Sequence, residues 1–187
     1  MNENDKNAPA KTIIWIDCEM TGLGDDDELL EIAVVPTDMQ LNVLDEGIDL
    51  IIKPTENGMK LLKENTFVLK MHTSSGLLAE LENGNGVADV EQQVLEYIKR
   101  FEPKQQRALL GGNSVHSDKK FIDKYMPAVS DHLHYRLIDV STIKELSKVW
   151  YPDEFASSSE KKSNHRALDD IIESINELKY YREAVFK

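Results

Sequence analysis

The sequence predicts an α/β domain: a five-stranded mixed sheet, three antiparallel strands first, flanked by helices. Two features of the chain point there. Three short apolar runs follow one another near the start, joined by short polar connections, which favours antiparallel neighbours. After them, strand-length apolar runs alternate with stretches of helical period, which adds helices packed on the sheet. At 187 residues the chain can bury roughly 70% of its unfolded surface, enough for one core.

Residues 12–16 (TIIWI) are apolar and β-branched and read as a central strand. Residues 29–35 (LLEIAVV) and 48–52 (IDLII) are the second and third strands, the latter closed by Lys53-Pro54. Residues 59–71 are mixed and helical. Residues 87–101 form a clearer helix, with Val90, Val94, Leu95, Ile98 and Phe101 at helical spacing. Residues 108–110 are a short strand stopped by Gly111-Gly112, and 117–126 a helix with Pro127 after its end. Residues 136–140 (RLIDV) are the fifth strand, and 141–150 a helix with Ser141 as N-cap. The polar run 152–163 is expected to lack order. Residues 165–186 form the last helix, with Leu168, Ile171, Ile172, Ile175 and Leu178 as its apolar stripe. Asp170, Ser174, Glu177 and Tyr181 fall off that stripe. Trp15 and Trp150 are expected in the core. There is no internal repeat and no linker, so residues 1–11 read as a loose tail and 12–187 as a single domain.

Composition excludes several classes. The chain is 41% hydrophobic and 30% charged, the ordinary globular range. No apolar run approaches the roughly 20 residues of a transmembrane helix. The first eleven residues resemble neither a secretory signal nor a mitochondrial address, so a cytoplasmic protein is expected. One cysteine, Cys18, excludes an internal disulfide. The formal charge of −12 argues against wrapping a long phosphate backbone, which needs a basic surface. Residues 99–136 carry a local excess of Lys and Arg, which read alone is a solvated helix face.

The chemistry rests on carboxylates. Asp17 and Glu19 are two apart at the end of the first strand, so both point to one face while Cys18 packs on the other. Two such acids repel unless a cation lies between them. Asp118, after Gly111-Gly112-Asn113-Ser114, begins a helix; His165 and Asp170 stand where the last helix begins. Each of these, taken alone, reads first as a helix-start residue or an ordinary solvated charge.

Together they resemble a known family. Asp17–Leu23 (DCEMTGL), Gly112-Asn113-Ser114 with Asp118, and His165 with Asp170 match the three exonuclease motifs of the DEDD superfamily, in the subgroup with histidine in the third motif. Residues 134–146 (HYRLIDVSTIKEL) and 165–170 (HRALDD) resemble the oligoribonuclease family more closely still, from Ile13 to the C-terminus in one register. That resemblance implies a ribonuclease H-like fold and a 3′–5′ exoribonuclease that degrades very short RNA, down to dinucleotides, to 5′-mononucleotides.

It also implies two divalent cations, Mg²⁺ or Mn²⁺, which suit hard oxygen ligands. Asp17, Glu19, Asp118 and Asp170 map onto the metal ligands and His165 onto the general base. Leu23 maps onto an apolar wedge against a base and Ser114 onto a hydroxyl of the phosphate cap. Tyr135, Arg136 and Ser141 map onto residues that reach the site from the partner subunit, implying a homodimer. Phe67 stands where relatives often carry Trp, five residues before His72 of His72-Thr73-Ser74-Ser75-Gly76; both are candidate substrate contacts. His132 and His134 are expected at a surface or partner-facing position, and His116 packed near its helix start. The rival readings are a general 3′–5′ exonuclease on longer RNA or DNA, and a non-catalytic module that binds short nucleotides.

Overall fold

The computed structural model describes residues 12–158 and 166–186. Its sheet is β1 (Thr12–Met20), β2 (Leu29–Asp38), β3 (Ile48–Ile51), β4 (Leu109–Gly112) and β5 (Leu137–Asp139), in spatial order β3-β2-β1-β4-β5. β1–β2 and β2–β3 pair antiparallel, β1–β4 and β4–β5 parallel. This is the predicted mixed sheet. The helices are α1 (Glu56–Glu64), α2 (Thr66–Ser74), α3 (Leu77–Glu80), α4 (Val87–Phe101), α5 (His116–Tyr125), α6 (Pro127–His132), α7 (Val140–Trp150), α8 (Pro152–Ala156) and α9 (Ala167–Ala184). No helix among the described residues is long and apolar enough to cross a membrane.

Period-two alternation along β1 sorts its side chains into two layers. Ile14, Ile16, Cys18 and Met20 pack with Val90, Val94 and Ile98 of α4, Phe121 and Ile122 of α5 and Val129 of α6. Ile13 and Trp15 pack on the other side with Ala167, Ile171, Ile175, Leu178 and Tyr181 of α9. A third cluster joins Leu30 to Leu62 of α1, Leu77 of α3 and Leu81.

Several boundaries differ from the expectation, each for a local reason. β1 does not end at Ile16: it continues through Asp17-Cys18-Glu19 to Met20 because β2 pairs with it throughout. Gly111-Gly112 do not stop β4 but lie inside it, since a Cβ on Gly111 would stand 2.7 Å from Ile13 Cγ2 and 3.2 Å from the Trp15 ring. The stretch read as one helix is two, α1 and α2, broken at Asn65, whose side chain caps α2 by accepting from Val68 N. Pro127 does not merely follow α5; it starts α6, where a missing N–H costs nothing. The cap of α7 is Asp139, accepting from the Ser141 amide, not Ser141. Residues 152–156 form the short helix α8 rather than a structureless run. The expectations for residues 1–11 and for 159–163 fall outside the described residues.

Candidate active site

Strand β1 delivers Asp17 and Glu19 to the face covered by α9, and Asp170 comes to them from the first turn of α9. One carboxylate oxygen from each lies within 4.8 Å of the other two. A β-bulge marks the spot: register slips between Glu19 and Met20, so that Glu31 faces Glu19 while Leu29, two residues earlier, faces Met20. Strict alternation would put Leu29 on the Glu31 face. The bulge returns it to the layer of Ile32 and Val34.

Asp118 stands beside this group rather than in it. It lies in the first turn of α5 and is buried, and its Oδ1 accepts from the Cys18 backbone N–H at 3.0 Å. The helix N-terminus favours its charge. Burial nevertheless pushes its carboxyl up to about 7; the backbone N–H groups of Cys18 and of Asp118 itself oppose the shift, and Asp139 adds to it. Glu19, 8% exposed, is pushed up to about 8 by burial first, then by the charges of Glu31, Asp170 and Asp118, with Arg166 opposing. Buried acids at this spacing share protons or a cation. All are hard oxygen donors, the ligand type that Mg²⁺ and Mn²⁺ select, so the donor set fits divalent metal.

The shifts set a pH dependence. Between an ordinary value of 4.5 and about 8, folded Glu19 holds a proton that the unfolded chain has released. The metal-free protein therefore loses stability as pH rises through that window and levels off above it. Metal binding must expel the proton, so affinity rises across the same window. We expect calorimetric titration with Mn²⁺ to show tighter binding near pH 8 than near pH 6. Thermal melts of the metal-free chain should shift the opposite way; a flat profile in both would contradict the assignment.

The other predicted residues occupy distinct places. His165 lies outside the described residues. His72 is fully buried on α2, its Nε2 2.9 Å from Met20 O and its Nδ1 3.8 Å from Glu19 Oε2. That position gives it a supporting contact with Glu19 instead of surface for a ligand. Leu23 and Phe67 are 69% and 77% exposed. The loop bearing Leu23 is fixed by Lys120, which donates to Leu23 O at 3.2 Å, by Lys124, which donates to Asp25 O, and by Tyr125 OH on Asp27 O at 2.6 Å.

Ser114 has φ of +52°, the left-handed region, at the turn from β4 into α5. Its amide donates to Asp139 Oδ1 at 3.0 Å and Ser141 Oγ at 2.9 Å, and the two serine hydroxyls are 3.1 Å apart. Ser141 Oγ also donates to Asn113 Oδ1 at 3.0 Å. Tyr135 is exposed, stacked on His134 with centroids 4.5 Å apart, and carries the Arg136 guanidinium 5.0 Å from its ring. Arg136 precedes β5 and is not part of it.

Three expectations are reversed. His132, expected at a surface, is 1% exposed with Nε2 2.8 Å from Glu102 O. His116, expected to pack, has its side chain 74% exposed beside Asp139. Trp15 is in the core, but Trp150 is 64% exposed at the end of α7. Two residues of the site neighbourhood went unread in the sequence, Glu31 and Arg166. The available signal was a lone acid inside the apolar run LLEIAVV.

The chain matches the exonuclease family model over residues 14–178. It is 50% identical over 175 residues to an oligoribonuclease of Leifsonia xyli, covering 93% of this chain and 84% of that protein. An oligoribonuclease of Streptomyces coelicolor is 51% identical, with 93% and 86% covered. Among solved structures, the zinc-bound exonuclease I–single-stranded DNA complex of E. coli superposes with a TM-score of 0.70 at 14% identity, covering 95% of this chain and 42% of that one. Exonuclease I of Methylocaldum szegediense superposes with a TM-score of 0.68 at 16% identity, covering 95% of this chain and 41% of that one. This chain thus spans about two fifths of those exonucleases, and the likeness establishes the ribonuclease H-like fold. With half its residues shared along nearly its whole length, the chain belongs to the exonuclease family and, within it, to the oligoribonucleases.

Proposed function

We propose that this chain hydrolyses oligoribonucleotides of a few residues from the 3′ end, down to dinucleotides, and releases 5′-mononucleotides. One observation carries the reading: carboxylates from the first strand and the last helix converge within 4.8 Å in a chain half identical to oligoribonucleases. Asp17, Glu19, Asp118 and Asp170 would hold two divalent cations, Mg²⁺ or Mn²⁺. Such a pair, when bound, supplies an activated water and stabilises the leaving oxygen of an in-line displacement. His165 accepts the proton of the attacking water, a task that suits an imidazole side chain near neutral pH. Leu23 packs against a base and Phe67 stacks on one; both present enough open apolar surface to do so. The Ser114 hydroxyl, 3.1 Å from that of Ser141, serves as a donor to a phosphate oxygen. Arg136 supplies a planar fork suited to a terminal phosphate.

The formal charge of −12 supports short substrates, because a long strand gains nothing from so acidic a surface. The test is a 5′-labelled RNA series, two to about twenty nucleotides, with and without Mg²⁺ or Mn²⁺. Turnover should be fastest on the dimer and absent without metal. Equal rates on dimer and twenty-mer would favour a general exonuclease, and binding without turnover a non-catalytic module.

We infer further that the chain works as a homodimer in the cytoplasm, with Tyr135, Arg136 and Ser141 of one copy serving the other. Leu146, Val149 and Trp150, at adjacent positions on α7, are 40%, 76% and 64% exposed. An apolar stripe that open calls for a partner. Val149→Glu is expected to convert the dimer to a monomer in light scattering and to cut turnover of the dinucleotide. A Val149→Glu protein that stays dimeric would place the interface elsewhere.

A further inference from the structure

Glu31 is the most enclosed acid near the site. It is 0% exposed, lies in the middle strand pair and is the direct cross-strand neighbour of Glu19. A carboxylate so placed adds negative charge to an acid cluster already in need of neutralisation, and a buried charge persists only when paired.

Its partner is Arg166, the residue at which α9 begins. Arg166 Nε donates to Glu31 Oε1 at 2.8 Å, while its Nη1 reaches Glu80 at 2.9 Å and its Nη2 lies 3.7 Å from Asp49. The second oxygen of Glu31 accepts the Ala167 amide at 3.2 Å. Arg166 provides no side-chain cap of its own for α9, so Glu31 fills that role from a strand 136 residues away. The next link is direct: the Arg166 carbonyl accepts the amide of Asp170 at 3.1 Å, closing the first helical turn. One buried carboxylate on β2 therefore fixes both the side chain and the backbone from which Asp170 is hung, and it sits beside Glu19, which Asp170 must meet.

We propose that Glu31 and Arg166 are positioning residues of the acid cage: their buried pair sets the start of α9 and so holds Asp170 in register with Asp17 and Glu19. The inference rests on the reading that these acids hold divalent cations. Length and charge both matter in this device. Gln at position 31 keeps the shape and an acceptor for Ala167 but releases the guanidinium to Glu80 and Asp49. Lys at position 166 keeps the charge but loses the fork that spans three carboxylates.

The test is Mn²⁺ binding to the full-length protein without substrate, read by electron paramagnetic resonance and calorimetry well below the melting temperature, with circular dichroism as the check on folding. Wild type should bind Mn²⁺ and Asp170→Ala should mark the floor. Glu31→Gln should weaken binding by about 10- to 100-fold. In turnover of a dinucleotide, kcat should fall with KM nearly unchanged, and excess Mn²⁺ should restore kcat in Glu31→Gln but not in Asp170→Ala. A purely structural role would lower the melting temperature and leave Mn²⁺ affinity alone. Should Glu31→Gln not fold, Arg166→Lys carries the same expectation at the lower end of that range. A folded variant with wild-type Mn²⁺ affinity overturns the inference and leaves the cage intact. Absence of Mn²⁺ binding by wild type overturns the cage, and this inference with it.

Discussion

Replacing Asp170 with alanine should abolish turnover while leaving the fold intact. Asp170 is half-buried at the start of α9, outside the Ile171, Ile175 and Leu178 packing that docks the helix. Its carboxylate oxygen lies in the group with Asp17 and Glu19, and its charge helps raise the Glu19 carboxyl. A metal-based site supplies several kcal/mol of transition-state stabilisation, so losing a ligand should cost about 10³-fold in kcat. The informative control is stability. Without metal, removing one of several mutually repelling acids should leave the melting temperature equal to wild type or higher. With Mn²⁺ added, wild type should gain stability by mass action and Asp170→Ala should not. A variant that keeps full activity, or whose metal-free form unfolds, would contradict the ligand assignment.

The second large effect concerns the floor beneath the site. Trp15 is 0% exposed, and its indole Nε1 donates to Thr37 Oγ1 at 2.9 Å in the interior. The ring also lies against Gly111 of the neighbouring strand, where no side chain could fit. Trp15→Ala removes this volume and leaves a buried hydroxyl without its donor. The expected loss is about 3–5 kcal/mol, near the top of the range for core truncations. Urea unfolding should show a lower midpoint with an unchanged slope. A loss under about 1 kcal/mol would mean that the sheet closes over the gap far more readily than close packing allows.

Much of this architecture was readable in the chain. The helix at residues 87–101 has the observed bounds because its apolar spacing and its contact face coincide. Asp17 and Glu19 share a face because strand geometry forces it. The last helix shows where such reasoning stops. Its wheel placed Ile172 in the stripe and Ser174 and Tyr181 outside it, yet Ile172 is 40% exposed while Ser174 and Tyr181 are buried. Ser174 hydroxyl hydrogen-bonds Asn113 Nδ2 at 2.8 Å and Asp170 O at 2.7 Å, so a polar residue meets the sheet because partners await it. Hydrophobic periodicity cannot register a partner 61 residues distant. The same blindness exchanged His116 and His132, and it concealed Glu31 and Arg166, whose contact spans 135 residues. The motif residues stand out in the sequence because their types and spacing form a pattern, whereas Glu31 and Arg166 are defined only by who stands next to them.

The acid group draws on elements far apart along the chain: Asp17 on β1 and Asp170 on α9. A growing polypeptide emerging from a ribosome is surrounded by RNA, yet these acids cannot meet until α9 has been made and has docked on the sheet. The acid group is thereby withheld until the strands and helices between β1 and α9 have been made.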